Sequence, residues 1–84
     1  MNEVARAKLV LKEGEVLEHV SHRMKGTLQE EDIDTYDILN ASGEKVGSVT
    51  HTDHTAIRGF TRTQTIEQYN SEGKLVVDTR WSGR

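Results

Sequence analysis

The sequence predicts a small α+β domain: a four- to five-stranded antiparallel β-meander with one short N-terminal helix packed on one face. The turn signature Asn-x-x-Gly occurs twice, at Asn40–Gly43 and Asn70–Gly73, with its glycines thirty positions apart. An Asn first and a left-handed Gly last are typical of a turn between antiparallel strands. Strand-like alternation flanks both turns, which indicates tandem hairpins over residues 35–81. An all-β roll is the alternative.

Composition limits the chain to one domain, residues 1–84, with a lean core. Only 33% of its residues are hydrophobic, and four are aromatic. There is no Cys, which excludes disulfides, thiol chemistry and Cys-based zinc sites. The N-terminus lacks the basic start and apolar run of a signal peptide, and no apolar segment approaches membrane-spanning length. We therefore expect a soluble, cytoplasmic protein that does not engage a membrane.

Charge is distributed unevenly along the chain. Residues 1–44 carry five basic and ten acidic side chains, whereas residues 45–84 carry six basic and four acidic ones. We interpret these charges as ordinary solvated surface residues that happen to be unevenly distributed. Two faces with different partners, or head-to-tail self-association, would also produce the split. Small domains with lean cores often gain stability by dimerising, so we expect self-association.

The secondary structure of residues 3–12 and 15–25 is predicted less clearly than that of the rest of the chain. Residues 3–12 fit either one face of a short helix or a strand at 7–12, and we favour the strand. Residues 15–25 fit a helix that Gly26 would end, although a strand is the competing interpretation. A fifth strand would lie at residues 9–11 or 27–29. The apolar residues at helical spacing are Val16, Leu17, Val20 and Met24.

The two turns set a register for the hairpins. With loops at residues 41–43 and 71–73, Ile38 would lie opposite Val46 and Thr63 opposite Trp81. Residues 51–56 would form a polar link, and residues 57–69 one long strand that bends at Gly59. The side assigned to the core carries Tyr69, Leu75, Val77 and Trp81.

Histidine is the first candidate for chemistry, because all four histidines occur in pairs three residues apart. These pairs are His19 with His22 and His51 with His54. His51, Asp53 and His54 combine imidazole and carboxylate groups, which suit zinc, nickel or copper. Neither pair matches a metal-binding signature, so ordinary surface histidines are the favoured interpretation and a metal site the alternative.

The second candidate is the face of the long strand opposite the assigned core. Arg58, Phe60, Arg62 and Gln64 would share this face, with Arg80 beside Gln64. Arginines and an aromatic ring suit a protein partner, and they also resemble a stacking platform for single-stranded nucleic acid. The pI of about 5.7 disfavours nucleic acid.

The remaining motifs add little chemistry. Thr61, Thr63 and Thr65 line up near Thr79, which is ordinary for a strand. The sequence has no P-loop, dinucleotide fingerprint or nucleophile turn, so we expect no cofactor and no enzymatic activity. The sequence therefore predicts a non-enzymatic binding protein whose partner is another protein or a second copy of the chain.

Overall fold

The computed structural model describes residues 1–26, 30–56 and 61–83 and shows one short helix followed by a five-stranded antiparallel sheet. The helix, α1, spans Glu3–Ala7. Each strand pairs with the next in the chain, so the sheet is an open meander and the predicted α+β class is confirmed. The strands are β1 (Val16–Lys25), β2 (Glu31–Leu39), β3 (Lys45–Thr55), β4 (Arg62–Asn70) and β5 (Leu75–Gly83).

Helix α1 begins at a conventional cap and buries one small residue. The side-chain oxygen of Asn2 accepts a hydrogen bond of 2.7 Å from the backbone N–H of Ala5, which satisfies one of the free donors of the first turn. Glu3 lies in the first turn and Arg6 in the last, where the charge of each side chain interacts favourably with the helix dipole. Ala5 is fully buried against the sheet, so the helix covers one of its faces.

The predicted helix at residues 15–25 is wrong, because this segment forms strand β1. Of the four residues at helical spacing, Leu17 packs against the core, whereas Val16, Val20 and Met24 are each more than half exposed. Gly26 has a φ of 101° and ends a strand rather than a helix. Pairing with β2 satisfies the backbone groups of β1 that face the sheet, and this outweighs a helical pattern that has no apolar surface to cover.

The strand favoured for residues 7–12 is also absent, because a glutamine side chain pairs with this backbone instead. Gln68 donates from Nε2 to the carbonyl of Val10 at 2.7 Å and accepts from the N–H of Val10 at 2.9 Å. The side chain thus supplies the two bonds that a neighbouring strand would have made. The fifth strand is β1 rather than residues 9–11, and residues 27–29 lie outside the described residues.

Both Asn-x-x-Gly turns close as predicted. Each Asn side chain, Asn40 and Asn70, accepts from the backbone N–H groups two and four residues on, at 2.9 and 3.0 Å in both turns. Gly43 and Gly73 take the left-handed conformation, with φ of 81° and 78°. The two hairpins therefore share one turn geometry.

A bulge after each turn shifts the register beyond it. Leu39 pairs with Lys45 as expected, but Ile38 then lies opposite Gly47 instead of Val46. The second hairpin repeats this shift after Tyr69, so that Gln64 rather than Thr63 lies opposite Trp81. One extra residue in the returning strand moves every later pair by one position.

This shift overturns the assigned core side. Tyr69 and Leu75 lie on one face, whereas Val77 and Trp81 lie on the other, next to the buried Ile66. We call the side of the sheet beneath α1 the covered face and the opposite side the open face. The covered face holds the buried side chains of Tyr36, Ile38, Val49, His51, Gln64, Ile66 and Gln68.

The connection between the hairpins lies later in the chain than predicted. Strand β3 continues to Thr55, so most of the expected polar link is strand. Strand β4 begins at Arg62. The N–H of Ala56 donates to the carbonyl of Thr61 at 2.8 Å, which closes the connection. Residues 57–60, including the expected bend at Gly59, lie outside the described residues.

Candidate functional site

The predicted arginine surface does not assemble on one face of the sheet. Arg58 and Phe60 lie outside the described residues. Arg62 lies on the covered face, two positions from Gln64 in a regular strand. Arg80 pairs with Thr65 and lies on the open face, so it is not beside Gln64. The bulge in β5 separates these residues, and the sequence carries no clear signal for it.

Arg62 and Gln64 already have partners within the chain. The Arg62 Nε lies 2.8 and 3.0 Å from the two carboxylate oxygens of Asp53, and its Nη2 donates to the same carboxylate. These hydrogen bonds hold the pKa of Asp53 below its ordinary value, against the opposing effect of burial. The side-chain oxygen of Gln64 accepts from Asn2 at 3.1 Å and from His51 at 2.8 Å.

The three residues of the metal hypothesis do not converge. His51 and Asp53 lie on the covered face, but His54 pairs with Glu31 and lies on the open face. Strand β3 is regular here, and residues three apart in a regular strand face opposite ways. His51 is 6% exposed and stacks parallel to Trp81, with ring centroids 6.3 Å apart.

The other histidine pair does converge, because β1 contains a bulge at Val20. His19 pairs with Tyr36 and His22 with Asp34, and both histidines therefore lie on the covered face. His19 Nε2 and His22 Nδ1 lie 2.9 and 2.8 Å from the same oxygen of Asp34. The histidine spacing was visible in the sequence, whereas the role of Asp34 required the β1–β2 register.

The two histidines lower the pKa of Asp34. Burial by itself raises the pKa of the carboxyl group, but hydrogen bonds and charge from His22 and His19 outweigh it and lower the pKa overall. His22 Nε2 also lies 3.6 Å from a carboxylate oxygen of Asp32. Among residues 1–26, 30–56 and 61–83, no group of three His, Cys, Asp or Glu residues is placed to hold a metal ion.

The surface that sequence reasoning missed is the outer edge of the sheet at β1. Eight of its ten residues are exposed. Val16, Val20 and Met24 are 52%, 56% and 55% exposed, and they are spread along its length. Within the described part of the chain, β1 pairs with β2 alone. The competing strand interpretation of residues 15–25 was the one signal for this edge.

Threonines occupy the open face as a row rather than as a separate site. Thr52 pairs with Thr65, and Thr50 and Thr63 lie on the same face in neighbouring positions. Thr79 does not join them, because it pairs with Ile66 on the covered face. Such cross-strand threonine pairs stabilise a sheet without any further role.

Comparison with protein-family models, with curated proteins and with solved structures finds no match to this chain. Across the described residues, no helix has the length and apolar character needed to cross a membrane. The fold and the surfaces described above are therefore the basis for assigning a function.

Proposed function

We propose that this chain is a non-enzymatic interaction protein that binds an extended segment of another polypeptide along the edge of β1. The observation that carries this proposal is the exposure of β1, which has exposed side chains at eight of its ten positions. A cytoplasmic location is part of the same proposal.

An unpaired strand edge is a natural binding site for an extended chain. Every second residue of an edge strand directs its backbone N–H and C=O groups away from the sheet. A partner strand satisfies these groups with main-chain hydrogen bonds, and exposed side chains along the edge supply apolar contact. Val16, Val20 and Met24 provide that contact on β1.

The other edge strand, β5, is less suited to this role. Its exposed large apolar residues, Leu75 and Val76, are confined to its first two positions beside the turn. Farther along, Val77 and Trp81 pack against the core, and the ammonium group of Lys8 lies 5.3 Å from the Trp81 ring centroid. The N-terminal segment therefore supports β5, of whose first eight residues five are exposed, against eight of ten in β1.

We propose a non-enzymatic function because the candidate catalytic side chains form hydrogen bonds with other side chains of the sheet. His51 bonds to Gln64, and Asp53 bonds to Arg62. His19 and His22 both bond to Asp34. His19, His22, His51 and Asp53 are thus each bonded to another side chain, and among the described residues none of these four hydrogen-bonds to a Ser or Thr hydroxyl in the manner of an activated nucleophile.

Peptide selection with a mapped binding site tests this function. We expect a display library of short unstructured peptides to yield binders whose NMR shift changes on the protein are confined to the amides of residues 16–25. Val20→Lys should weaken binding about tenfold, because an edge lysine opposes strand pairing. Leu75→Lys is the matched control on β5, with a similar starting exposure of 47%, and should leave binding unchanged.

Shift changes that map to the open face or to β5 would contradict the proposal. So would a Val20→Lys variant that binds the selected peptides as well as the unmodified chain. Because Val20 is exposed, the substitution should leave the melting temperature nearly unchanged, and a melting curve of each variant verifies this.

A further inference from the structure

We infer that the segment bound along β1 is β1 of a second copy of this chain, paired antiparallel about a two-fold axis between Val20 and Ser21. The two sheets would then form one continuous sheet across the interface. This inference rests on the proposed function, because it uses the same edge, and it adds the partner and the register.

The bulge in β1 makes such a pairing geometrically consistent. Antiparallel pairing of a ten-residue strand with its own copy places Leu17 opposite Met24. In a regular strand these two residues would lie on opposite faces. Residues directly opposite each other in an antiparallel pair must share a face, so this register would not be possible. In β1 both lie on the covered face, because Leu17 pairs with Ile38 and Met24 with Asp32. The extra residue at Val20 reverses the alternation midway along the strand.

The same register matches charges on the open face. Glu18 pairs with Asp37 and Arg23 with Ile33 within the sheet, so both project from the open face. Self-pairing about the strand centre places Glu18 of one copy opposite Arg23 of the other, and the two-fold axis repeats this pair. Oppositely charged side chains directly across a ladder favour pairing and select its register.

Within its own chain, Glu18 lacks a directly opposite partner of the other charge. Asp37 lies opposite Glu18 in the sheet, and its carboxylate is 3.2 Å from the Lys45 ammonium group. Glu18 therefore has a like charge on its inner side, partly balanced by Lys45. An arginine from a second copy on its outer side supplies the opposite charge that β2 does not.

Symmetry also favours β1 with β1 over β1 with β5. A two-fold contact uses the same edge on both copies and closes after two chains. A contact between β1 and β5 would leave a free edge at each end and would continue into a polymer. Only the first arrangement yields a defined species of twice the chain mass of 9.5 kDa.

Charge reversal tests both the partner and the register. We expect sedimentation equilibrium to show a dimer of the unmodified chain. Glu18→Arg and Arg23→Glu should each weaken dimerisation about tenfold, because each places like charges opposite one another twice. Mixing the two single variants should restore a dimer, since both facing pairs are then complementary. The double variant, Glu18→Arg with Arg23→Glu, should also dimerise with itself.

A control reversal separates the register from a general charge effect. Arg80→Glu changes the net charge as Arg23→Glu does, but it lies on an exposed position of β5. It should leave the dimer unaffected. Equal weakening by Arg80→Glu and Arg23→Glu would overturn the inference, and so would a dimer that none of the reversals weakens.

A monomer at every concentration would also overturn the inference while leaving the proposed function open to its own test. In that case, peptides selected on β1 would support binding to a different chain. If the chain is monomeric and no peptide binds to β1, both the inference and the proposed function fail.

Discussion

The two histidine pairs have the same spacing in the sequence and opposite arrangements in the structure. His51 and His54 lie in a regular strand and point to opposite faces of the sheet. His19 and His22 lie in a strand with a bulge and point to the same face, where both reach Asp34. One extra backbone residue therefore decides whether two side chains can act together.

The two pairs also differ in what surrounds them. His51 is nearly inaccessible, bonded to Gln64 and stacked on Trp81. The side chains of His19 and His22 are 52% and 45% exposed. The regular central strand β3 buries His51 in the core, whereas the bulged edge strand β1 leaves both of its histidines near the surface. We therefore expect the two strands to differ in how much their histidines stabilise the fold.

Replacing one histidine from each strand should show this difference most strongly. His51→Ala is expected to lower the free energy of unfolding by about 2 to 3 kcal/mol, because it leaves a cavity and removes a buried hydrogen bond. His19→Ala should change it by less than about 0.5 kcal/mol, because the side chain is exposed. Urea denaturation of both variants at neutral pH measures the two values, and equal losses would contradict the contrast.

Asp53 of β3 and Arg62 of β4 lie in strands that pair without a bulge. Breaking their ion pair should lower the free energy of unfolding by a smaller amount, and the loss should depend on pH. The pKa of Asp53 is lowered in the folded chain, chiefly by the hydrogen bond from Arg62. Its contribution is therefore present above the ordinary carboxyl pKa of 3.8 and is lost as the pH falls through the lowered value. Asp53→Asn should cost about 1 kcal/mol at neutral pH and flatten the decline of stability in acid.

The matched experiment beside the bulged strand is Asp34→Asn, which changes the residue of β2 that both β1 histidines contact. The pKa of Asp34 is also lowered, because the hydrogen bonds and charges of His22 and His19 outweigh burial. Its contribution likewise is lost as the pH falls below the ordinary carboxyl value. Because the side chains of both histidines are about half exposed to solvent, which weakens the ion pairs, we expect a loss of about 0.5 kcal/mol or less.

Unfolding curves of the two Asn variants, recorded from neutral pH down to strongly acidic pH, compare these contributions directly. If Asp34→Asn lowered the free energy of unfolding more than Asp53→Asn does, the contacts of His19 and His22 with Asp34 would stabilise the chain more than the Asp53–Arg62 ion pair, contrary to this expectation. The unmodified chain measured over the same pH range is the reference.

Much of the C-terminal half was predictable because its turns are local. The Asn and Gly residues that close each hairpin interact within five positions of each other, so the sequence alone identified both turns. The N-terminal segments were harder to predict. Residues 15–25 have apolar residues at helical spacing, and pairing with β2, at separations of six to 23 positions, is what makes them a strand.

The candidate sites depended on features that the sequence does not encode locally. The pairs His19–Asp34 and Asp53–Arg62 were not predictable, because each joins two strands and depends on their register. A bulge in β1 shifts the register for the first pair. Arg80 was expected beside Gln64, and a single unpaired residue in β5 placed it on the open face. Arg58 and Phe60 lie outside the described residues, so their part of the expected surface stays a prediction.

The sequence by itself determined the fold class, the two hairpin turns and the absence of cysteine chemistry. Each of these depends on residue type or on neighbours within one turn. Only the tertiary structure decided which face of the sheet is covered, where the bulges fall and that β1 is an exposed edge. The reason is that a change of one residue in register reverses every side chain beyond it, and register is set by pairing between distant strands.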